Sequence, residues 1–232
     1  MPSAPIPLNE ADRLRALRLY KILDTGSEKA FDDLTRLAAA ICQTPISLIT
    51  LLDENRQWFK SNIGLNSTQT SRDVAFCGHA ILQDDLLVVE DASHDERFAE
   101  NPLVESDPSI RFYAGAPLTI GNNLRLGTLC VIDRKPRQLT KEQLDALAII
   151  RDAVITQLEL RRALQDFENL ERMLPMCAWC RNIQMADNHW VTLEDYLNRT
   201  TRVTHGMCPS CVAGFSDSSQ TEERSKSLAP SA

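Results

Sequence analysis

Four cysteines near the C-terminal end form the clearest chemical pattern in the chain. Cys177 and Cys180 make one C-x2-C pair, Cys208 and Cys211 make a second, and 27 residues separate the two pairs. Two turns that each present two thiolates can together complete a tetrahedron around one metal ion, and thiolates are soft ligands. The spacing therefore predicts a structural zinc site, with iron as the second choice of metal.

The small size of this region favours the metal interpretation. Residues 175–215 form a segment close to the length, about 40 residues, below which a domain usually needs a metal, disulfides or a partner in order to fold. His205 precedes Cys208 by three residues and is the candidate substitute ligand. Two alternatives stay open, namely a reversible dithiol switch and cysteines with no shared role.

The other three cysteines lie in the N-terminal two thirds of the chain. Cys42 and Cys130 fall within apolar segments, so we expect them to be inert, whereas Cys77 is the one candidate for a reactive thiol. Polar residues near the ends of elements in the same region are candidates for a ligand pocket, or alternatively for capping elements and satisfying buried backbone groups. These candidate ligand-binding residues are His79, Asp91, Arg111 and Tyr113.

Charge and hydropathy exclude several partners. The net charge is −7, which disfavours nonspecific binding to nucleic acid or to anionic membranes. Residues 175–215 hold three basic and three acidic residues, so we expect no nucleic-acid partner. No apolar run approaches the roughly 20 residues of a membrane span, and the N-terminus lacks the features of a secretory signal. We therefore expect a cytoplasmic protein with reduced thiols.

Hydrophobic periodicity then predicts the elements that must position these residues. Helices are predicted over 9–24, 30–42, 73–82, 140–174 and 191–199, and strands over 46–52, 56–63, 86–90, 111–120 and 126–133. Asn9 is expected to cap the first helix, and Thr140 with Gln143 to form a capping box for the long one. Strands joined by tight turns indicate an α+β fold with an antiparallel sheet.

The same pattern predicts the domain organisation. Residues 1–8 are expected to be a flexible lead, 9–160 an α+β domain, 161–174 a helical linker, 175–215 the four-cysteine metal module and 216–232 a disordered tail. Apolar residues recur with spacings of three and four in and near the linker, a pattern compatible with a coiled-coil homodimer. These residues are Leu160, Leu164, Phe167 and Leu170.

Several segments of the larger domain resemble bacterial GAF domains in both order and spacing. The segments are FCGHAI at 76–81, DASHDERFAENP at 91–102, IRFYAGAPL at 110–118 and LGTLCVID at 126–133. The resemblance implies a six-stranded antiparallel sheet flanked by helices, with a small-molecule pocket on one side. GAF domains commonly act as sensory or dimerising modules. We find neither the bilin-attachment motif nor the cyclic-nucleotide signature that specialised members carry.

The cysteine region resembles a tail found after sensory and receiver domains of bacterial signalling proteins. The matching segments are LPMCAWC at 174–180 and HGMCPSC at 205–211. The combined prediction is a GAF domain, a long helix and a zinc-ribbon-like module that docks a signalling partner, without enzymatic activity. The alternative is a thiol-based redox sensor or an enzyme similar to free methionine sulfoxide reductase, acting through Cys77 or the C-x2-C pairs. Residues 91–113 contain no cysteine where that enzyme family places its nucleophile.

Overall fold

The protein folds into two compact units, of which the first ends at Asn169 and the second begins at Leu170. The computed structural model describes residues 3–171, 174–185, 187–200, 206 and 208–212. The first unit contains α1 Glu10–Leu19, α2 Lys29–Cys42, β1 Ile46–Leu52, β2 Arg56–Ile63, β3 Gln69–Ser71, α3 Phe76–Ala80, β4 Leu87–Val89, α4 Pro102–Glu105, β5 Phe112–Ile120 and β6 Leu124–Asp133. It also contains all but the last two residues of α5 Lys141–Glu171. The second unit contains β7 Ile183–Gln184, β8 Trp190–Val191 and α6 Leu193–Thr200.

The strands of the first unit form one antiparallel sheet in the order β3-β2-β1-β6-β5-β4. The turn between β1 and β2 closes where Asp53 N donates to Arg56 O at 2.8 Å, and the Asp53 carboxylate accepts from Glu54 N at 2.9 Å. The turn between β5 and β6 places Asn122 and Asn123 at φ values of 55° and 60°, a conformation that asparagine tolerates well. Both predicted hairpins are therefore confirmed.

Helices cover both faces of this sheet. Residues alternate along the strands, so that Ile49 and Phe112 join Phe31 of α2 in one core, while Leu48 and Phe76 lie in the other. The first core lies beneath α1, α2 and α5, and the second lies beneath α3 and α4. The arrangement confirms the predicted α+β class with an antiparallel sheet flanked by helices.

The long helix begins as the sequence predicts but ends earlier. Thr140 N donates to Gln143 Oε1 at 3.0 Å, and Gln143 N donates to Thr140 Oγ1 at 3.3 Å, which confirms the capping box. The helix ends at Glu171, and Leu174 is not helical. The residue before a proline is disfavoured in the α conformation, so the prediction that the helix reaches Leu174 is wrong.

Three further predictions near the sheet are wrong in detail. Asn9 precedes α1 but does not cap it, because its amide donates instead to Asn123 O at 3.4 Å. The predicted helix over 73–82 is divided by Ala75, whose extended backbone separates a 3-10 helix at Arg72–Val74 from the short α3. The strand β3 was not predicted at all, since its three polar residues show no alternation of apolar and polar positions.

The second unit has a β7–β8 hairpin followed by α6, close to the helix predicted over 191–199. The first cysteine pair lies in a tight turn, where Arg181 N donates to Cys177 O at 2.9 Å and Cys177 N donates to Asn182 O at 2.8 Å. The candidate ligand His205 and the predicted tail at 216–232 lie outside the described residues. Among the described residues, no helix has the length and apolar character needed to cross a membrane.

Candidate functional site

A cavity of about 270 Å³ lies over the sheet face that α3 and α4 cover. Its apolar wall is formed mainly by Leu48, Phe59, Leu65, Phe76, Leu103, Ile110 and Ile132. Its polar lining consists of Gln57, Asn66, Ser67, Thr70, Asp107, Tyr113 and Arg134, with Cys77 on the wall. An apolar cavity with a few convergent polar groups is the usual form of a small-molecule site, although this one is near the lower end of the usual size.

Two facing residues that line this cavity also carry buried polar atoms without partners among the described residues. Gln57 on β2 and Thr70 on β3 lie opposite each other in the sheet, and both line the cavity. Gln57 is 5% exposed. Within the part of the chain that the structure describes, neither Gln57 Oε1 nor Thr70 Oγ1 has a hydrogen-bond partner. A buried polar atom left unsatisfied costs about 1–3 kcal/mol, so a ligand that supplies these partners gains affinity from it.

Hydroxyl groups surround the thiol of Cys77 on the inner wall of the cavity. Its Sγ lies 2.9 Å from Thr128 Oγ1 and 3.3 Å from both Thr50 Oγ1 and the Tyr113 hydroxyl. Burial alone would raise the pKa of Cys77, but hydrogen bonds from Cys130, Thr128, Thr50 and Tyr113 lower that pKa to about 7. The site therefore makes the thiolate form of Cys77 more accessible near neutral pH than it is for an ordinary thiol.

The neighbouring thiol and phenol behave in the opposite way. Burial, together with the hydrogen bond to Cys77, raises the pKa of Cys130 well above its usual range. Burial, followed by the charges of Cys77 and Cys130, raises the pKa of Tyr113 well above its usual range. The Cys130 thiol and the Tyr113 hydroxyl therefore stay protonated, and both can donate hydrogen bonds to the Cys77 sulfur.

Gly115 makes room for the Tyr113 hydroxyl. The two residues lie two positions apart on β5, and a Cβ atom built on Gly115 would overlap the phenol oxygen of Tyr113. Any larger residue at position 115 must therefore displace the hydroxyl from its contact with Cys77. The glycine is required here for close approach rather than for a special backbone angle.

Of the four predicted ligand-binding residues, Tyr113 lines the cavity. His79 is buried on α3 away from the cavity lining, and its ring meets Phe98 edge-on with centroids 4.9 Å apart. Its Nε2 has no hydrogen-bond partner among the described residues. Burial, helped by the charge of Arg97, lowers the pKa of His79, so the neutral ring is favoured.

Asp91 and Arg111 make local contacts outside the cavity lining. The Asp91 carboxylate accepts from Ser93 N at 3.0 Å and lies 2.9 Å from His94 Nδ1. The Arg111 guanidinium donates to Val104 O at 2.8 Å. In this structure the two residues cap a turn and satisfy a backbone carbonyl, the alternative roles that the sequence left open.

Sequence analysis missed the two residues with the unsatisfied atoms. Gln57 lies two positions before Phe59 on β2, and this spacing was the available signal that both side chains face the same side of the sheet. Thr70 lies in a short polar segment that gave no such signal.

In the second unit, each C-x2-C pair forms a turn that surrounds a thiol with donors. The backbone N–H groups of Cys180 and Trp179 and the Cys180 thiol lower the pKa of Cys177. The Ser210 hydroxyl and the Cys211 N–H lower the pKa of Cys208 to about 7. Within the described ranges, however, no three His, Cys, Asp or Glu side chains gather as a metal site would require. The zinc site therefore stays a prediction.

The antiparallel sheet, its helical layers and the cavity on one face define an α+β domain of a known kind. Family comparison identifies it: the GAF domain model matches residues 27–158, more than half of the chain, and the chain belongs to the GAF family. The sensory and signalling role expected of such a domain is thereby supported.

The chain is also similar in sequence to a protein whose name states an activity. The chain is 45% identical over 137 residues, 59% of its length, to a cyclic di-GMP phosphodiesterase of Pseudomonas aeruginosa. The chain spans about a quarter of that protein, since the match covers 23% of its length. The relative bears the name of an enzyme, and this overturns our prediction of a protein without enzymatic activity.

A solved structure with a TM-score of 0.50 agrees on the fold, and a second is similar to the chain at a lower score. The chromophore-binding domain of a bacteriophytochrome from R. palustris has a TM-score of 0.50 at 11% identity, covering 69% of this chain and 65% of that domain. A GAF domain from an Acinetobacter phosphoenolpyruvate-protein phosphotransferase has a TM-score of 0.49 at 20% identity, covering 67% of this chain and 96% of the other. Identities this low show the fold alone.

Proposed function

We propose that this chain is a sensory GAF module in cyclic di-GMP signalling, which binds a small molecule in its cavity and thereby controls phosphodiesterase activity. Membership of the GAF family supports the sensory part. The relative from Pseudomonas aeruginosa supports the link to cyclic di-GMP, because its name states that activity and its matched segment is 45% identical.

The observation that carries the ligand-binding part is the pair of unsatisfied atoms on Gln57 and Thr70. They lie on facing strands and line the same cavity. Folding alone gives no reason to bury two polar atoms without partners, since apolar side chains of the same shape would avoid the cost. The ligand that fits is small, largely apolar, and donates a hydrogen bond to Gln57 Oε1.

Native mass spectrometry of freshly purified protein tests this proposal. The wild-type chain is expected to retain a small molecule that denaturation releases, and Gln57→Leu and Thr70→Val are expected to lose it. Gln138→Leu is the matched control, because Gln138 is exposed and contacts Glu90 rather than the cavity. Retention of the same molecule by all four proteins would contradict the assignment of the site.

The regulatory part is tested in cells that carry a cyclic di-GMP reporter. Expression of the wild-type chain is expected to change the nucleotide level, and Gln57→Leu is expected to change it less. If both proteins change the cyclic di-GMP level equally, the cavity does not control phosphodiesterase activity.

We further propose that α5 pairs with α5 of a second copy. Apolar side chains on this helix face away from the core that Ile150, Val154 and Leu158 enter. The outward side chains, all exposed, are Ile149, Leu160, Leu164 and Phe167. The side chain of Leu170, which the sequence pattern includes, lies outside the described part. A second copy supplies an identical stripe, and two such helices can bury both.

Sedimentation velocity tests this pairing. Leu164→Glu is expected to shift the chain from dimer to monomer, whereas Lys141→Glu introduces the same carboxylate at an exposed position near the helix start and is expected to leave the dimer intact. A wild-type chain that stays monomeric at high concentration would contradict the proposal.

For the second unit we propose a structural zinc ion on Cys177, Cys180, Cys208 and Cys211, with partner docking as its role. The donor set is chemically suited to zinc, and N–H groups aimed at two of the thiols favour thiolates. Trp179 is 96% exposed beside the first pair and offers an apolar contact for a protein partner.

Elemental analysis tests the zinc proposal. One zinc per chain is expected for the wild type and for Cys42→Ser, whose cysteine is buried in the first unit, and none for Cys177→Ser. A zinc-free chain with the four cysteines joined by disulfides would favour the dithiol switch instead.

A further inference from the structure

We propose that Cys77 is a peroxide-reactive thiol at the wall of the cavity, and that Cys130 resolves its oxidised form as an internal disulfide. This inference uses the same cavity as the proposed ligand site but does not require that a ligand binds there. It concerns a modification site inside the GAF domain, separate from the four cysteines of the second unit.

The cavity gives Cys77 access that its burial alone would deny. The residue is only 1% exposed, yet it lines the cavity together with Gln57 and Thr70. A peroxide molecule is close to water in size and fits a cavity of about 270 Å³.

The hydroxyl groups around Cys77 stabilise the form that reacts. Thr128 lies at 2.9 Å from Sγ, and Thr50 and Tyr113 each lie at 3.3 Å. A thiolate accepts several such hydrogen bonds, whereas a neutral thiol accepts them only weakly. The lowered pKa of Cys77 has the same cause, and the thiolate is the nucleophile in reactions with peroxides.

Cys130 is placed to complete the reaction. Thr128 and Cys130 alternate on β6 and therefore point to the same sheet face. Thr128 Oγ1 lies 2.9 Å from Cys77 Sγ, and Cys77 and Cys130 belong to the same core cluster. Thr50 and Leu48 of β1 pair with Thr128 and Cys130 across the sheet, which fixes this geometry by backbone register. The two thiols are thus neighbours in one rigid layer of the core.

The Cys77 thiolate attacks the peroxide, an S–O bond forms, the O–O bond breaks, and the departing oxygen takes a proton as water or an alcohol. Sulfur is oxidised to a sulfenic acid and the peroxide is reduced. The Cys130 thiol then loses its proton and attacks the Cys77 sulfur, so that an S–S bond forms, the S–O bond breaks and the hydroxyl leaves with that proton as water.

Oxidation would also alter the ligand cavity. The disulfide removes the negative charge that Thr128, Thr50 and Tyr113 contact, and Tyr113 is itself part of the cavity lining. A cellular peroxide signal would in this way reach the same cavity that the proposed ligand occupies.

Peptide mapping of the full-length chain treated with hydrogen peroxide tests the inference without any variant. Trypsin separates Cys77, Cys130 and Cys42 into different peptides, because arginines stand at 56, 72, 97, 125 and 134. We expect a disulfide between the Cys77 and Cys130 peptides. Cys42 is the internal control, since burial raises its pKa to about 11, and it is expected to stay reduced. A reduced Cys77, or one oxidised no faster than Cys42, would overturn the inference.

Variants then separate the two roles. Cys130→Ser is expected to leave a sulfenic acid on Cys77 that a 1,3-dione reagent traps, and Cys77→Ser is expected to leave Cys130 reduced. Thr128→Val removes the nearest donor and is expected to slow oxidation about tenfold at pH 7, with Thr128→Ser restoring the rate. Gln138→Leu changes an exposed side chain that contacts Glu90 outside the cavity, and it is expected to leave the oxidation unchanged. An oxidised wild-type Cys77 beside a reduced Cys130 would overturn the resolving role.

Discussion

Replacing Gln57 by leucine is expected to stabilise the ligand-free protein while removing its ligand site. In the wild type, Gln57 Oε1 is buried and has no hydrogen-bond partner among the described residues. Such an atom costs about 1–3 kcal/mol, and leucine is of similar size without the polar oxygen. We therefore expect Gln57→Leu to raise the free energy of unfolding by about 1–2 kcal/mol, or the melting temperature by about 2–8 °C.

Gln143 provides the matched control, because its polar atoms all have partners. Its oxygen accepts from Thr140 N at 3.0 Å, and its amide nitrogen donates to Ile41 O at 2.9 Å. Gln143→Leu breaks the capping box and leaves that carbonyl without its donor, so we expect a loss of about 1–2 kcal/mol. The same chemical change thus has opposite effects at the two positions.

Urea unfolding of dialysed wild type and both variants measures these free energies. The wild type must first be unfolded, stripped of bound molecules and refolded, so that a retained ligand does not add stability. A Gln57→Leu variant that loses as much stability as Gln143→Leu would refute the argument, because it would show that the Gln57 amide is satisfied within the folded protein.

Three further predictions concern other parts of the chain. Burial would raise the pKa of Glu10, but contacts with Arg13 at 2.7 Å and Arg72 at 2.6 Å lower it to about 2. Its contribution is therefore full above about pH 4.5 and is lost as the pH falls toward 2. In urea unfolding, Glu10→Gln is expected to lose about 2 kcal/mol at pH 7 and progressively less below pH 4.5; a constant difference would contradict this. Gly115→Ala is expected to displace the Tyr113 hydroxyl and raise the thiol pKa of Cys77, measured by alkylation rate against pH; an unchanged profile would show that the contact is unimportant. Chelation is expected to remove zinc and to increase proteolysis within residues 175–215 only, as measured by limited digestion. Equal digestion with and without chelator would count against a structural metal.

The sequence predicts the framework of the sheet well, because the framework depends on local patterns. The bounds of β1 and β2 match the predicted strands. β1 is a run rich in β-branched residues and leucine, and a short turn separates it from β2, so neighbouring residues alone indicate both strands. The capping box at Thr140 and Gln143 is likewise local, as it spans three residues. The order of the elements came from the same local patterns, and the resemblance to GAF domains correctly implied a six-stranded antiparallel sheet.

The candidate site was less predictable, because its residues meet through long-range contacts. Thr50, Tyr113 and Thr128 lie 27, 36 and 51 positions from Cys77, and no local pattern brings them together. Thr70 depends on a three-residue polar edge strand that has no hydrophobic periodicity. Cys130, which the sequence suggested to be inert, is a neighbour of Cys77 only because the register of β1 and β6 places it there.

A thermal-shift screen of a metabolite library tests the central claim, that this cavity is the ligand site of a sensory GAF module. The screen runs on wild type and Gln57→Leu side by side, at concentrations well above the expected dissociation constant, so that binding to the folded state raises the melting temperature. The account predicts at least one small compound that stabilises the wild type and has little effect on Gln57→Leu. A complete screen in which every compound shifts the two proteins equally would contradict it.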